Sequence, residues 1–295
     1  MYSGEVNHEN ITGIFEGAAD FIVRRLCCNG VSLYAYAIDG LTSGADTSEY
    51  VIRPITDNLT GSTPAALYEE ALLGNVYNSV ADSCKDLDTV ARKLVNGFCV
   101  VLFPGAGAIA FEVKTGEKRG ISAPEVENTV KGAKDALTET LRTNTGLLRR
   151  HLRTPALRLY ETKLGRRSGT GVALVWLDGL TDPELVRRMK RRLSEPDIDG
   201  LVTPASVEEY LTGSRRTAFP LLKYTERTDR LARSLLDGRI ALLVDGLPLA
   251  YLAPVDLAFF MTAAEDEGTD WLSASFLRIL RYAGLLLSLL LPGLY

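Results

Sequence analysis

The chain has 295 residues, 46% apolar and 24% charged, the proportions of a globular protein with a core, and a length that suits about two domains. Its net charge of −4 argues against a dedicated nucleic-acid binder, for which a basic footprint is expected. Only two histidines are present, His8 and His151, which removes most catalytic-triad and metal-cage hypotheses.

The opening segment, MYSGEVNHEN, has neither a basic n-region nor an apolar h-region, so no signal peptide is expected before residue 30. Cys27, Cys28, Cys84 and Cys99 form no CxxC pair. They read as reduced thiols in a cytoplasmic protein, not as a disulfide frame or a zinc site, and no cofactor is expected.

The first clear strand, YAYAI, ends in Asp39-Gly40-Leu41-Thr42. Residues 88–113, DTVARKLVNGFCVVLFPGAGAIAFEV, begin as a helix with an apolar stripe of Val90, Leu94 and Val95. That helix ends at Asn96-Gly97, where glycine supplies a left-handed C-cap. An apolar strand, the tight turn Pro104-Gly105-Ala106-Gly107 and a second strand follow. Gly105-Ala106-Gly107-Ala108-Ile109-Ala110 fits GxGxxA, but the residues after it alternate as a strand. A phosphate-binding loop must open onto a helix N-terminus, so dinucleotide binding is not expected.

Residues 121–153, ISAPEVENTVKGAKDALTETLRTNTGLLRRHLR, open with a helix start at Ser122, Pro124 and Glu125. A long polar helix is predicted, interrupted near Asn144-Thr145-Gly146, tethering two halves. Glu125, Glu127, Asp135 and Glu139 could include an acid/base pair, although a solvated helix face accounts for them better. Asn144, Arg149 and Arg150 offer an amide and two guanidiniums able to organise an interface or bind a carboxylate; the alternative is a structural network. A further basic run, Arg187, Arg188, Lys190, Arg191 and Arg192, lies on a helix begun by Asp182-Pro183. It reads first as a solvated face, then as a contact with anionic lipid.

The second half repeats the first. Asp178-Gly179-Leu180-Thr181 follows ALVWL, and residues 229–254 align without a gap on the segment from Asp88: Ala232, Arg233, Leu235, Gly238, Leu243 and Gly246 coincide with Ala91, Arg92, Leu94, Gly97, Leu102 and Gly105. Leu231, Leu235 and Leu236 form the second helix's stripe, and Asp245-Gly246 is a hairpin turn. The expected fold is α/β: two associated, internally duplicated α/β subdomains with mixed sheets. The boundaries are 1–120 for the first subdomain, 121–153 for a helical connector, 154–268 for the second subdomain, and 269–295 for a juxtamembrane segment and truncated first transmembrane helix.

From Tyr282 to Tyr295 the chain reads YAGLLLSLLLPGLY, uncharged and apolar on every face. Spanning needs about 20 residues, so the run resembles the first two-thirds of a span. Arg278 and Arg281 are the juxtamembrane anchors and, by the positive-inside rule, hold the preceding chain in the cytoplasm.

These residues carry a family resemblance. SAPEVENTVKGAKDALTETLRTNTGLLRRHLRTPALRL resembles the central signature of the A subunits of spore germination receptors, the GerA family. IDGLTSGADTSEYVIRPI, GRRSGTGVALVWLDGLTDPELVRRMKRRL and FPLLKYTERTDRLARSLLDGRIALLVDGLPLAYLAPV resemble further family segments, and RILRYAGLLLSLLLPGLY the opening of its first span. Thr228 stands where the family usually carries proline, and Lys131-Gly132-Ala133-Lys134 replaces a Gly-Pro run. Family members continue through several spans, so a fragment or an interrupted gene is expected.

The resemblance implies an A subunit of a nutrient germinant receptor in the inner spore membrane, its N-terminal domain facing the cytoplasm of the spore core. It implies a partnership with a transporter-like B subunit and a lipoprotein C subunit, homo-oligomerisation, ion release without catalysis, and no nucleic-acid partner. The stage V sporulation paralogue shares this architecture. Glu125, Glu139, Asn144, Arg149 and Arg150 are the candidate interface or ligand contacts. A small-molecule-binding module is the alternative role; an enzyme is disfavoured by the shortage of histidine and the lack of a nucleophile motif.

Overall fold

The computed structural model describes residues 2–115, 124, 127, 133–194, 198–201, 203–213, 219–263, 266 and 269–294. The expected helix start at Ser122 to Glu125 lies outside them, apart from Pro124. The first repeat runs α1 (His8–Ile14), β1 (Phe21–Cys28), β2 (Val31–Ile38), α2 (Gly44–Thr47), α3 (Arg53–Asp57), α4 (Pro64–Glu70), β3 (Ala81–Cys84), α5 (Leu87–Val95), β4 (Phe98–Phe103) and β5 (Gly107–Glu112). A π-helical turn, Ser48–Ile52, joins α2 to α3, and another, Ala71–Asn75, follows α4. Then come α6 (Leu141–His151), β6 (Leu157–Leu164), β7 (Thr170–Leu177), α7 (Pro183–Ser194), α8 (Pro204–Thr212), β8 (Lys223–Thr225), α9 (Thr228–Leu236), β9 (Ile240–Val244), β10 (Ala250–Ala253), α10 (Leu257–Phe260) and α11 (Trp271–Leu294).

The duplication is written into the sheets. One has the order β1-β2-β4-β5-β3, the other β6-β7-β9-β10-β8, the same topology used twice. The α/β class and the duplication hold, but the sheets are antiparallel where mixed ones were expected. The reason is the wiring: each hairpin reverses direction, and β3 joins the far edge beside β5 rather than beside β4, so the α5 crossover skips one strand.

The first sheet is covered on both faces. Along β4, Val100 and Leu102 pack with Ile11, Leu87, Val90 and Leu94 from α1 and α5. Cys99, Val101 and Phe103 pack on the opposite side with Val51, Ile55 and Leu67 from the segment between β2 and β3. Successive residues of a strand point to opposite faces, so a fully apolar β4 signals two helical layers. The thiols are free, and burial pushes Cys84 up to about 11 and Cys99 up to about 12, which keeps both protonated.

The repeat signals meet in space. Gly97, at φ +81°, sits where an added Cβ would lie 2.9 Å from the Leu41 carbonyl oxygen; Gly238, at φ +83°, would bring a Cβ within 3.2 Å of the Leu180 carbonyl. In each repeat the glycine after the helix therefore faces the leucine of Asp-Gly-Leu-Thr. A third repeat signal lies at the helix starts. Thr63-Pro64-Ala65 and Thr203-Pro204-Ala205, about 140 residues apart, start α4 and α8. Both threonines cap at φ −126° and ψ 152°, each accepting from the amide three residues on.

Two further expectations change. Helix α6 runs unbroken through Asn144-Thr145-Gly146, while 133–140 are not helical. Leu236 is 53% exposed, because the buried face of α9 takes in Thr228, Arg230 and Ser234.

Contacts divide the chain into two compact units. One comprises Met1–Arg119, Arg142–Glu161 and Val175–Gly179; the other comprises Gly120–Leu141, Thr162–Leu174 and Leu180–Tyr295. Within the first, a Cβ on Gly146 would sit 2.6 Å from the Gly40 carbonyl oxygen. Gly146→Ala should therefore cost about 1–3 kcal/mol by overpacking, although alanine is the better helix former. Urea unfolding should show the lowered midpoint; an unchanged or raised midpoint would show that α6 can move away freely.

Candidate functional site

Charge is concentrated in two networks, one in each unit. The first is built on α6. Arg149 is completely buried, and its guanidinium grips Asp20, also buried, with Nε to Oδ2 at 2.7 Å and Nη2 to Oδ1 at 2.8 Å. Its remaining nitrogen, Nη1, donates to the Thr154 carbonyl at 3.1 Å. About two helical turns earlier, Arg142 reaches Asp39 at 3.0 Å and Glu161 through two bonds at 2.9 and 3.0 Å. A planar fork against a carboxylate is the geometry that makes a dry charge tolerable.

The candidates from the sequence separate here. Asn144 and Arg149 are both buried on α6, and Arg150 is half-buried on the same helix. Glu139 is exposed and belongs to the other unit, where its carbonyl accepts from the Gly246 amide at 2.7 Å. Glu125 lies outside the described residues. Asp20 was missed: it is a lone acid before β1, and nothing in its neighbourhood announces a partner 129 residues away.

The second network leads to the C-terminal helix. Glu127 accepts from Arg230 and from the Thr225 hydroxyl, while its amide donates to Glu226 at 2.7 Å. Arg227, also buried, bonds the Glu127 carbonyl at 3.2 Å and Asp229 at 2.6 Å. Arg230 also donates to the Thr262 carbonyl at 2.8 Å, and Lys223 donates to the same carbonyl at 3.0 Å and to that of Phe259 at 2.7 Å. These cations gather the carbonyls at and after the end of α10, the end where a helix is electronegative.

Arg281 completes the chain. It bonds the Met261 carbonyl at 2.9 Å and clasps Asp266 through two bonds at 2.6 and 2.8 Å. Arg278 stands 3.9 Å from the same carboxylate. The Asp266 side chain is only 3% exposed, and the Arg281 hydrogen bonds hold its carboxyl below the usual carboxylate range. Both arginines lie inside α11, which begins at Trp271 and so extends well upstream of the apolar run read from Tyr282. Over Trp271–Gly293 the helix is long and apolar enough to cross a membrane. Among its described residues, Trp271, Leu272, Phe276, Ile279 and Leu289 are all exposed.

Two outcomes are expected. Arg149→Ala strands a buried Asp20 carboxylate and should cost about 3–5 kcal/mol, with Asp20→Asn/Arg149→Met recovering much of the loss; an equilibrium unfolding series checks this, and a loss below about 1 kcal/mol would deny the pair a structural role. The folded carboxyl of Asp266 titrates below its unfolded value, so its stabilisation is complete above the ordinary carboxylate pKa and is lost as pH falls through the lowered one. Exchange protection in 257–266 should fade over that acidic window, and Asp266→Asn should abolish the dependence.

Comparison with known proteins places the chain in a family. The family model described as Bacillus/Clostridium GerA spore germination protein covers residues 9–295. Spore germination protein B1 of Bacillus subtilis (strain 168) is 31% identical over 260 residues, 88% of this chain and 53% of that protein. Stage V sporulation protein AF of the same strain is 30% identical over 273 residues, 92% of this chain and 55% of that one. The chain thus spans about half the length of the curated relatives it matches. The crystal structure of the N-terminal domain of the A subunit of the Bacillus megaterium spore germinant receptor GerK3 superposes with a TM-score of 0.65 at 25% identity, covering 87% of this chain and 98% of that one. The chain belongs to the GerA family of spore germination proteins.

Proposed function

We propose that this chain is the cytoplasmic, non-catalytic part of the A subunit of a nutrient germinant receptor, and that it couples events in its soluble units to a membrane helix. The observation that carries the reading is the clasp of Arg281 by Asp266, since it fixes the membrane-type helix α11 to the unit that contains α9 and β8. The GerK3 likeness supports the receptor assignment.

On this reading α11 lies in the inner spore membrane and the soluble units face the spore core. The receptor assembles as a homo-oligomer with a transporter-like B subunit and a lipoprotein C subunit. A signal reaching Glu127 passes through Arg230 to the Thr262 carbonyl and so to the segment that holds Arg281. Such coupling requires two arrangements of the clasp that a ligand or partner favours unequally. The likeness to stage V sporulation protein AF favours a second reading, the sporulation paralogue of the A subunit, with the same clasp serving another complex.

Asp266→Asn in the full-length protein should slow nutrient-triggered release of spore contents at least about fivefold, the consequence of losing roughly 1 kcal/mol of coupling, while the amount of protein in the membrane stays the same. Normal germination by the variant would remove the clasp from the pathway. A deletion strain that forms spores normally but fails to answer nutrients favours the receptor; one that answers them normally favours the paralogue.

A further inference from the structure

The two repeats provide an internal control for α7. In the first repeat, the segment after Asp-Gly-Leu-Thr is Gly44–Asp57, from α2 through the π-helical turn to α3. It carries Asp46, Glu49 and Asp57 against one base, Arg53, and that base pairs with Glu49 at 2.8 Å and Asp57 at 3.6 Å. In the second repeat, the helix at that position is α7, with Glu184 against Arg187, Arg188, Lys190, Arg191 and Arg192. The topology is the same, so the fold does not require a basic helix here.

The cations are not equivalent. Arg192 belongs to the fold, donating to the Tyr210 carbonyl at 2.8 and 3.0 Å. Arg187 makes a surface pair with Glu184 at 2.5 Å, which contributes little in water. Arg188 and Arg191 are exposed, and their guanidiniums have no ion-pair partner among the described residues. Like charges at three- and four-residue spacing repel along a helix. Helix α7 tolerates them because Val186 and Leu193 anchor its other face. Charges near a helix C-terminus suit its dipole, which accounts for Arg191 and Arg192 but not for Arg187 and Arg188 in the middle.

We infer that the outer face of α7, through Arg187, Arg188 and Arg191, lies against the anionic headgroups of a membrane surface. The occupant follows from charge complementarity and from placement: the acidic counterpart Gly44–Asp57 belongs to the other unit, whereas α7 shares its unit with α11. A polybasic face within reach of an anionic leaflet gains about 1 kcal/mol per cation, and the gain falls with salt. The inference rests on α11 entering the membrane, which is tested separately below.

The full chain would be reconstituted into nanodiscs of phosphatidylcholine alone and of phosphatidylcholine with phosphatidylglycerol, and amide exchange followed in Pro183–Ser194. Co-elution with neutral nanodiscs reports on α11 alone. Protection of α7 should appear in anionic discs only, weaken severalfold in high salt, and disappear in Arg187→Gln/Arg188→Gln/Arg191→Gln. Because all three side chains are exposed, the variant should melt with the parent and still co-elute. Equal protection in both disc types, or in parent and variant, would overturn the inference. So would protection by added RNA with none from anionic discs, which would make the face a nucleic-acid contact.

Discussion

A guanidinium and a carboxylate, both removed from water, set the terms for the first unit. Neither Arg149 nor Asp20 is stable there without the other, because an unpaired charge at that depth costs several kcal/mol. Their fork geometry admits little error, so α6 must approach β1 at one height and one rotation. That placement brings Gly146 onto the Gly40 carbonyl, where any side chain would collide. It also sets Arg142 within reach of Asp39 and Glu161. The Asp-Gly-Leu-Thr turn and the α6 helix are thus fitted by one electrostatic requirement and one steric one.

Among the described residues, the second repeat has no acid at the position of Asp20. The amide of Asp39 donates to the Asp20 carbonyl, and in the second repeat the amide of Asp178 donates to Ala156, so the position of Asp20 is occupied there by alanine. The two repeats share the backbone contact and differ in the acid. The second unit instead has Glu127, Arg230, Lys223 and Asp266 around the partly buried carbonyls that follow α10 and the start of α11. The architecture is repeated and the electrostatics are not.

Much of the architecture was legible because it is local. The glycines of Asn96-Gly97 and Asp237-Gly238 take the left-handed conformation that their place after a helix requires, and AIAFEV forms the strand that excludes a phosphate loop. Sequence and structure part where tertiary contact overrides local preference. Asn144-Thr145-Gly146 looked like a break, yet the segment stays helical because its small and polar side chains are all buried. The site was less legible. Arg149 stood out by composition, but Asp20, Arg230 and Asp266 are ordinary charges whose partners lie far away in sequence or on another element. Glu127 was noticed only as one of four carboxylates, and its bond to Arg230 spans 103 residues.

Arg281 lies ten residues into α11, about 15 Å along its axis from Trp271. If α11 enters a bilayer as proposed, an arginine clasped by Asp266 cannot descend into hydrocarbon, and the first stretch of the helix stays at headgroup level, with Trp271 and Phe276 where aromatic side chains prefer to rest. On the proposed reading the carboxylate is a depth stop: how far the helix is immersed is decided by a side chain that never enters the lipid.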